Sequence, residues 1–256
     1  MKISFYLTNK CNLDRGICYD ILKCSPAGQS DIFDRVPAWL LVAKKLGFDE
    51  VAFSSGEVTL DFDKLLSVIQ KAKELGFTVQ VKTNGWWSIY GTDYPQRMYA
   101  AGLDQLRISY DSKRFYPDSP LTQEIVIKAI RIGYEVFKSR KITVVPHQGE
   151  PDLYWLNRLF ETYPFLDLEI QPVLETNFRV KDSVVTGIDS ETGETKTIRL
   201  PYRGFHPTID FKGRFFLNSE GIAEAENSGT FTNRYVGDLN SDILSDLFLK
   251  YQTLIK

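Results

Sequence analysis

The residues of this chain best equipped for chemistry are three thiols. Cys11, Cys18 and Cys24 are the only cysteines among 256 residues, and all fall in one short polar stretch after the first apolar run. Buried cysteine often serves as a small hydrophobe, but such cysteines would be scattered through a chain rather than gathered in one loop. A closed tetrahedral zinc site takes four ligands, and a disulfide framework takes an even number of cysteines. Three thiolates can hold three irons of a 4Fe-4S cluster and leave the fourth iron open to another ligand. Packing and a metal or cluster site both stand as readings, and the clustering favours the second.

Glu57 is the next candidate. It lies between Gly56 and the apolar Val58, where a carboxylate at a strand end could bind an ammonium group or act as a base. His147 and His206 carry weaker signals, since a lone histidine is more often structural than catalytic. Trp86, Trp87 and Tyr90 form an aromatic cluster that suits a packed rim or a wall over a substrate.

These residues need elements to position them, and the hydrophobic pattern supplies an alternating set. Ile3 to Thr8 reads as a strand that delivers the cysteine loop from its C-terminal end. The pattern then predicts helix from Pro37 to Leu46, strand from Val51 to Ser54, and helix from Asp61 to Leu75. Strand Thr78 to Thr83, helix Tyr94 to Ala101, strand Leu106 to Tyr110 and helix Thr122 to Lys138 follow. Strand Ile142 to Val145, helix Pro151 to Tyr163 and strand Leu166 to Gln171 complete an alternation of six strands with the helices between them, with Gly47, Gly76 and Gly102 as helix stops.

Such alternation implies a parallel sheet, which an open doubly wound fold and a partial barrel satisfy equally. In either, chemistry collects at the C-terminal strand ends. The polar residues expected there are Thr8-Asn9, Ser54-Ser55-Gly56-Glu57, Thr83-Asn84-Gly85, Ser109-Tyr110-Asp111, Pro146-His147-Gln148 and Gln171.

After Pro172 the alternation stops. Residues 183–199 are polar and turn-rich, with a hairpin tip expected at Ser190 to Gly193. A clearer hairpin joins Thr208–Phe211 to Arg214–Leu217 through Lys212-Gly213, and Asn240 or Ser241 could cap a last helix ending near Leu254. The expected division is a core of residues 1–172 and an extension of residues 173–256 that leans on the sheet.

Composition narrows the classes of function. Lysine plus arginine (31) nearly balances aspartate plus glutamate (33), for a net charge of -2. No basic field gathers phosphates, which disfavours a primary nucleic-acid role. No apolar run approaches a membrane span, and the start of the chain is too interrupted for a signal-peptide core. Clustered cysteines with neither feature suit a soluble protein of the reducing cytoplasm.

Four segments in order resemble the radical S-adenosylmethionine (radical SAM) superfamily. They are Leu7 to Leu13 with the later cysteines, Phe53 to Leu60, Val81 to Gly85, and Gly102 to Asp111. They are similar to that family's cluster loop, its Gly-Gly-Glu segment, its Thr-Asn-Gly strand end and its Ser-x-Asp strand end. The resemblance implies an α/β fold with a partial (β/α)6 TIM-like barrel and a small C-terminal α+β extension. It implies a 4Fe-4S cluster on Cys11, Cys18 and Cys24, with S-adenosylmethionine (SAM) on the open iron. Glu57 and the backbone around Ser55-Gly56 would hold the ammonium of SAM. Thr83, Asn84, Ser109 and Asp111 would contact its ribose and carboxylate, and Tyr19 would pack near its adenine.

The activity so implied is reductive cleavage of SAM to a 5′-deoxyadenosyl radical that abstracts a substrate hydrogen atom. A peptide of the natural-product type is the first expected substrate and a small metabolite such as an amino sugar or nucleoside the second. The electron donor would be a protein such as flavodoxin or ferredoxin.

This chain departs from the family pattern in three respects. Six and five residues separate the cysteines, where the family usually has three and two; Ser55 replaces the first glycine; and no cysteine follows Cys24. The extension, similar to a region that often carries auxiliary clusters, has Asn218 where a cysteine would stand and is expected to serve as a lid or docking surface without a cluster. The altered spacing and Ser55 also admit an inactive barrel whose cysteines hold a structural metal or simply pack.

Overall fold

The computed structural model describes residues 1–13, 24–90, 93–110, 120–137, 141–146, 162–163, 166–168, 183–188, 195–200, 206–218, 222, 225, 229, 231 and 234–254. Outside them lie Cys18, Tyr19, Asp111, His147, Gln148 and Gln171, most of the helix expected over 151–163, the tip at 190–193 and the division expected at 172/173.

The chain forms two contact-dense units. The first holds residues 1–83, 96–104 and 205–256. Its strands are β1 (Lys2–Tyr6), β2 (Glu50–Ser54) and β3 (Thr78–Thr83) from the first part of the chain. Short strands β9 (Thr208–Ile209), β10 (Arg214–Phe216) and β11 (Tyr235–Asp238) come from the end. The order is β11-β10-β9-β1-β2-β3. β1 runs parallel to β2, with Phe5 opposite Phe53, and β2 runs parallel to β3, with Val51 opposite Val79. The central three residues of β1 and of β2 are all buried, as expected of parallel strands covered on both faces.

Helices α1 (Val36–Lys45) and α2 (Phe62–Glu74) connect these strands. α2 buries Phe62, Leu65, Val68, Ile69 and Ala72, a spacing of three and four that puts one stripe on the sheet. Both helices end as the glycines predict. The N–H of Gly47 bonds the Lys44 carbonyl, that of Gly76 bonds the Lys73 carbonyl, and each following phenylalanine is buried. At the core, Phe5 stacks on Trp39 with ring centres 6.4 Å apart and meets Phe53 at 6.1 Å.

The hairpin expected near residue 210 forms and joins the sheet. β9 lies parallel to β1, pairing Ser4 with Thr208, and β10 runs antiparallel to both β9 and β11. The final helix, Leu244–Leu254, starts later than a cap at Asn240 or Ser241 would place it. Those residues belong to a turn instead. Asn240 Nδ2 donates to the Lys212 carbonyl at 2.9 Å, and Asp242 N–H donates to the Asp238 carbonyl at 2.8 Å.

The second unit holds residues 84–95 and 105–204. β4 (Gln105–Tyr110), β5 (Lys141–Pro146) and β6 (Leu166–Leu168) are mutually parallel, and α4 (Gln123–Phe137) follows β4. A separate antiparallel hairpin pairs β7 (Ser183–Ile188) with β8 (Thr195–Leu200). α3 (Tyr94–Ala100) bridges the sequence of the two units and stops before Gly102. Among the described residues, no helix is long and apolar enough to cross a membrane.

Candidate functional site

β1 ends in a segment with no regular structure that is laced by backbone and side-chain hydrogen bonds. Thr8 makes a bridge to Asp31 and Lys10 one to Ser25, so the two arms of the cysteine loop run side by side. Cys11 N–H donates to the Ser25 carbonyl at 2.9 Å, and Ser25 N–H returns a bond to Asn9 at 3.0 Å. The Asn9 side chain accepts from Ser30 N–H at 2.9 Å. Gly28 lies so close to the Asn9 backbone that an added Cβ would sit 2.3 Å from its carbonyl oxygen. This lacing fixes Cys11 and Cys24 on neighbouring arms, and both are buried.

The end of β2 is locked onto the same loop. Leu7 N–H donates to the Ser54 carbonyl, and Glu57 N–H donates to the Lys10 carbonyl at 2.8 Å. Gly56, at φ 58°, is pressed so tightly on the loop that a Cβ would lie 2.2 Å from the Lys10 oxygen. Only glycine fits there. Ser55, at φ 74°, also occupies the left-handed region, which costs a residue with a Cβ about 1 kcal/mol. Its Oγ lies 3.8 Å from the Cys24 sulfur.

Glu57 is wholly inaccessible to solvent. Its Oε1 accepts from Thr59 N–H at 3.2 Å, Thr59 Oγ1 at 2.5 Å and Thr83 Oγ1 at 2.7 Å. A buried carboxylate needs such donors, because an unpaired charge in the interior is very costly. The carboxylate thus ties the end of β2 to the end of β3. Thr59 escaped the sequence reading, although a Glu two residues before a Thr at a strand end signals a side-chain-capped turn, as occurs here over Val58–Asp61.

Six expected residues (Cys11, Cys24, Ser55, Gly56, Glu57 and Thr83) therefore gather at the C-terminal ends of β1, β2 and β3. Asn84 and Ser109 belong to the second unit and are buried there. Asn84 follows β3 and its Oδ1 accepts from Trp86 N–H at 3.0 Å, while Ser109 lies near the end of β4. The aromatic cluster divides. Trp87 is buried and stacks on Tyr94, whereas Trp86 packs edge-on against Tyr90, which is 76% exposed. His206, near β9, supplies a backbone carbonyl to Thr208 Oγ1.

No family model matches the chain, and no curated protein sequence matches it significantly. Solved structures do. A structure of native anSMEcpe with bound AdoMet and a Cp18Cys peptide matches at TM-score 0.61 and 14% identity, over 99% of this chain and 81% of that one. BtrN in complex with AdoMet and 2-DOIA matches at TM-score 0.51 and 10% identity, over 98% of this chain and 84% of that one. Methylornithine synthase (PylB) matches at TM-score 0.50 and 14% identity, over 72% of this chain and 55% of that one. With its parallel strand order and connecting helices, the chain has the fold of the radical SAM enzymes, an α/β partial (β/α)6 barrel.

Proposed function

We propose that this chain is a radical SAM enzyme with one 4Fe-4S cluster and that it modifies a peptide substrate. The observation that carries the reading is the lacing of the buried Cys11 and Cys24 against the turn at Ser55-Gly56, with the buried carboxylate of Glu57 beside it. Thiolates are the ligands that iron–sulfur clusters take, and two neighbouring loop arms that each hold one of them out of water suit that group. Cys11, Cys18 and Cys24 would hold the cluster. Glu57, buried behind the turn, would hold the backbone of Ser55-Gly56 in place to orient the ammonium of SAM, and Thr83, Asn84, Ser109 and Asp111 would meet its ribose and carboxylate. Tyr19 would cover the adenine. Cluster and SAM together would supply radical chemistry able to take a hydrogen atom from the substrate, and the residues around them would supply placement and exclusion of water.

Residues 173–256 would act as lid or docking surface, and a flavodoxin or ferredoxin in the cytoplasm would deliver the electron. Peptide is the favoured substrate because the likeness to anSMEcpe, a structure with a bound peptide, runs along 99% of the chain. A small metabolite is the second reading, favoured by the similarly complete likeness to BtrN with its 2-DOIA ligand.

The test is release of 5′-deoxyadenosine from SAM by the anaerobically reconstituted, chemically reduced protein. The wild type should release it, and a Cys11→Ala/Cys18→Ala/Cys24→Ala variant should not. Equal release by both would contradict the assignment and leave the cysteines a packing or structural-metal role.

A further inference from the structure

Ser55 is the one residue other than glycine with a positive φ among the described residues. A glycine would hold this backbone without strain, so the serine side chain must offer something in return. What it offers is a hydroxyl 3.8 Å from Cys24 Sγ, within hydrogen-bond range for sulfur. In the thiol state either atom can be the donor. A cysteine bound to iron has no proton to give, so the direction is then fixed: Ser55 Oγ–H donates and the sulfur accepts.

We infer that Ser55 is a positioning and tuning residue whose hydroxyl donates a hydrogen bond to the Cys24 thiolate and raises the reduction potential of the cluster. The inference rests on the reading of Cys11, Cys18 and Cys24 as cluster ligands. A donor to a ligating sulfur stabilises the extra negative charge of the reduced cluster, and hydrogen bonds to sulfur are a recognised determinant of such potentials. The turn at Ser55-Gly56 is pinned to the loop through the Glu57 N–H bond to Lys10 and through the close approach of Gly56. The backbone that carries the hydroxyl is therefore fixed beside the sulfur, and a single side-chain torsion sets the Oγ at 3.8 Å from it. A less negative potential would ease electron transfer from a protein donor.

The experiment is a redox titration of the reconstituted cluster, followed by electron paramagnetic resonance, with iron counted in parallel. Ser55→Gly removes hydroxyl and strain together, while Ser55→Ala removes the hydroxyl and keeps the Cβ. Ser55→Gly and Ser55→Ala should load iron as the wild type does and titrate at a more negative potential. Ser55→Gly should melt no lower than the wild type. Unchanged potentials in fully loaded Ser55→Gly and Ser55→Ala would overturn the inference while the cluster assignment stood. Loss of iron in both would overturn it too, making the serine a shaper of the loop. Failure of the wild type to assemble any cluster would instead remove the assignment on which the inference is built.

Discussion

Glu57 shows what a single residue can do at the meeting of two strands. Its Oε1 gathers two threonine hydroxyls and one backbone N–H in a place no solvent reaches. Hydrogen bonds to a charged group contribute about 1.5–3 kcal/mol each, and a buried acceptor left short of donors costs a similar amount. Thr83→Val keeps the shape and removes one donor, so it should lower stability by about 2 kcal/mol in denaturant unfolding. It should also weaken SAM binding, read by calorimetry on the reconstituted protein. Unchanged stability would show that Thr83 does not support the carboxylate. The candidate residues were legible because their types are rare or out of place: three clustered cysteines, and a carboxylate between a glycine and a valine. Thr59 was not, because a threonine in a turn looks ordinary until its partner is known.

The hairpin of β9 and β10 makes a comparable case for an element. Asp210, wholly buried, accepts from Lys212 N–H at 3.0 Å, from Arg214 N–H at 2.9 Å and from Arg214 Nε at 2.7 Å. Burial outweighs these donors and pushes the carboxyl above its ordinary 3.8. The folded protein thus keeps this proton at a pH where the unfolded chain has lost it. The contribution is whole below 3.8 and is lost as pH rises through the folded value. Asp210→Asn should be less stable than the wild type, and urea unfolding at a series of pH values should show the gap narrowing as pH rises above 3.8. A widening gap would mean that Arg214 wins over burial. The hairpin itself was plain in the sequence from Lys212-Gly213 between apolar runs, as were the helices that stop before Gly47 and Gly76. The start of the last helix was not, since Asn240 is a capping type but sits in a turn before the helix, its Nδ2 donating to the Lys212 carbonyl.

For the whole molecule, alternation of strand and helix established a parallel sheet but left two architectures open, because periodicity records which residues are buried and not how a sheet curves. The order of four short segments pointed to the partial barrel, and likeness to a solved structure along 99% of the chain supports it. The hydrogen bonds from β9 to β1 could not be read from sequence: about two hundred residues separate the strands, and only the folded chain brings Ser4 to Thr208. The central claim is that Cys11, Cys18 and Cys24 share one iron–sulfur cluster despite their wide spacing. Iron and sulfide counted after anaerobic reconstitution test it most directly. The account predicts about four of each per wild-type chain, falling to near zero in the triple alanine variant. Zinc in their place, or iron that persists without the three cysteines, would contradict it.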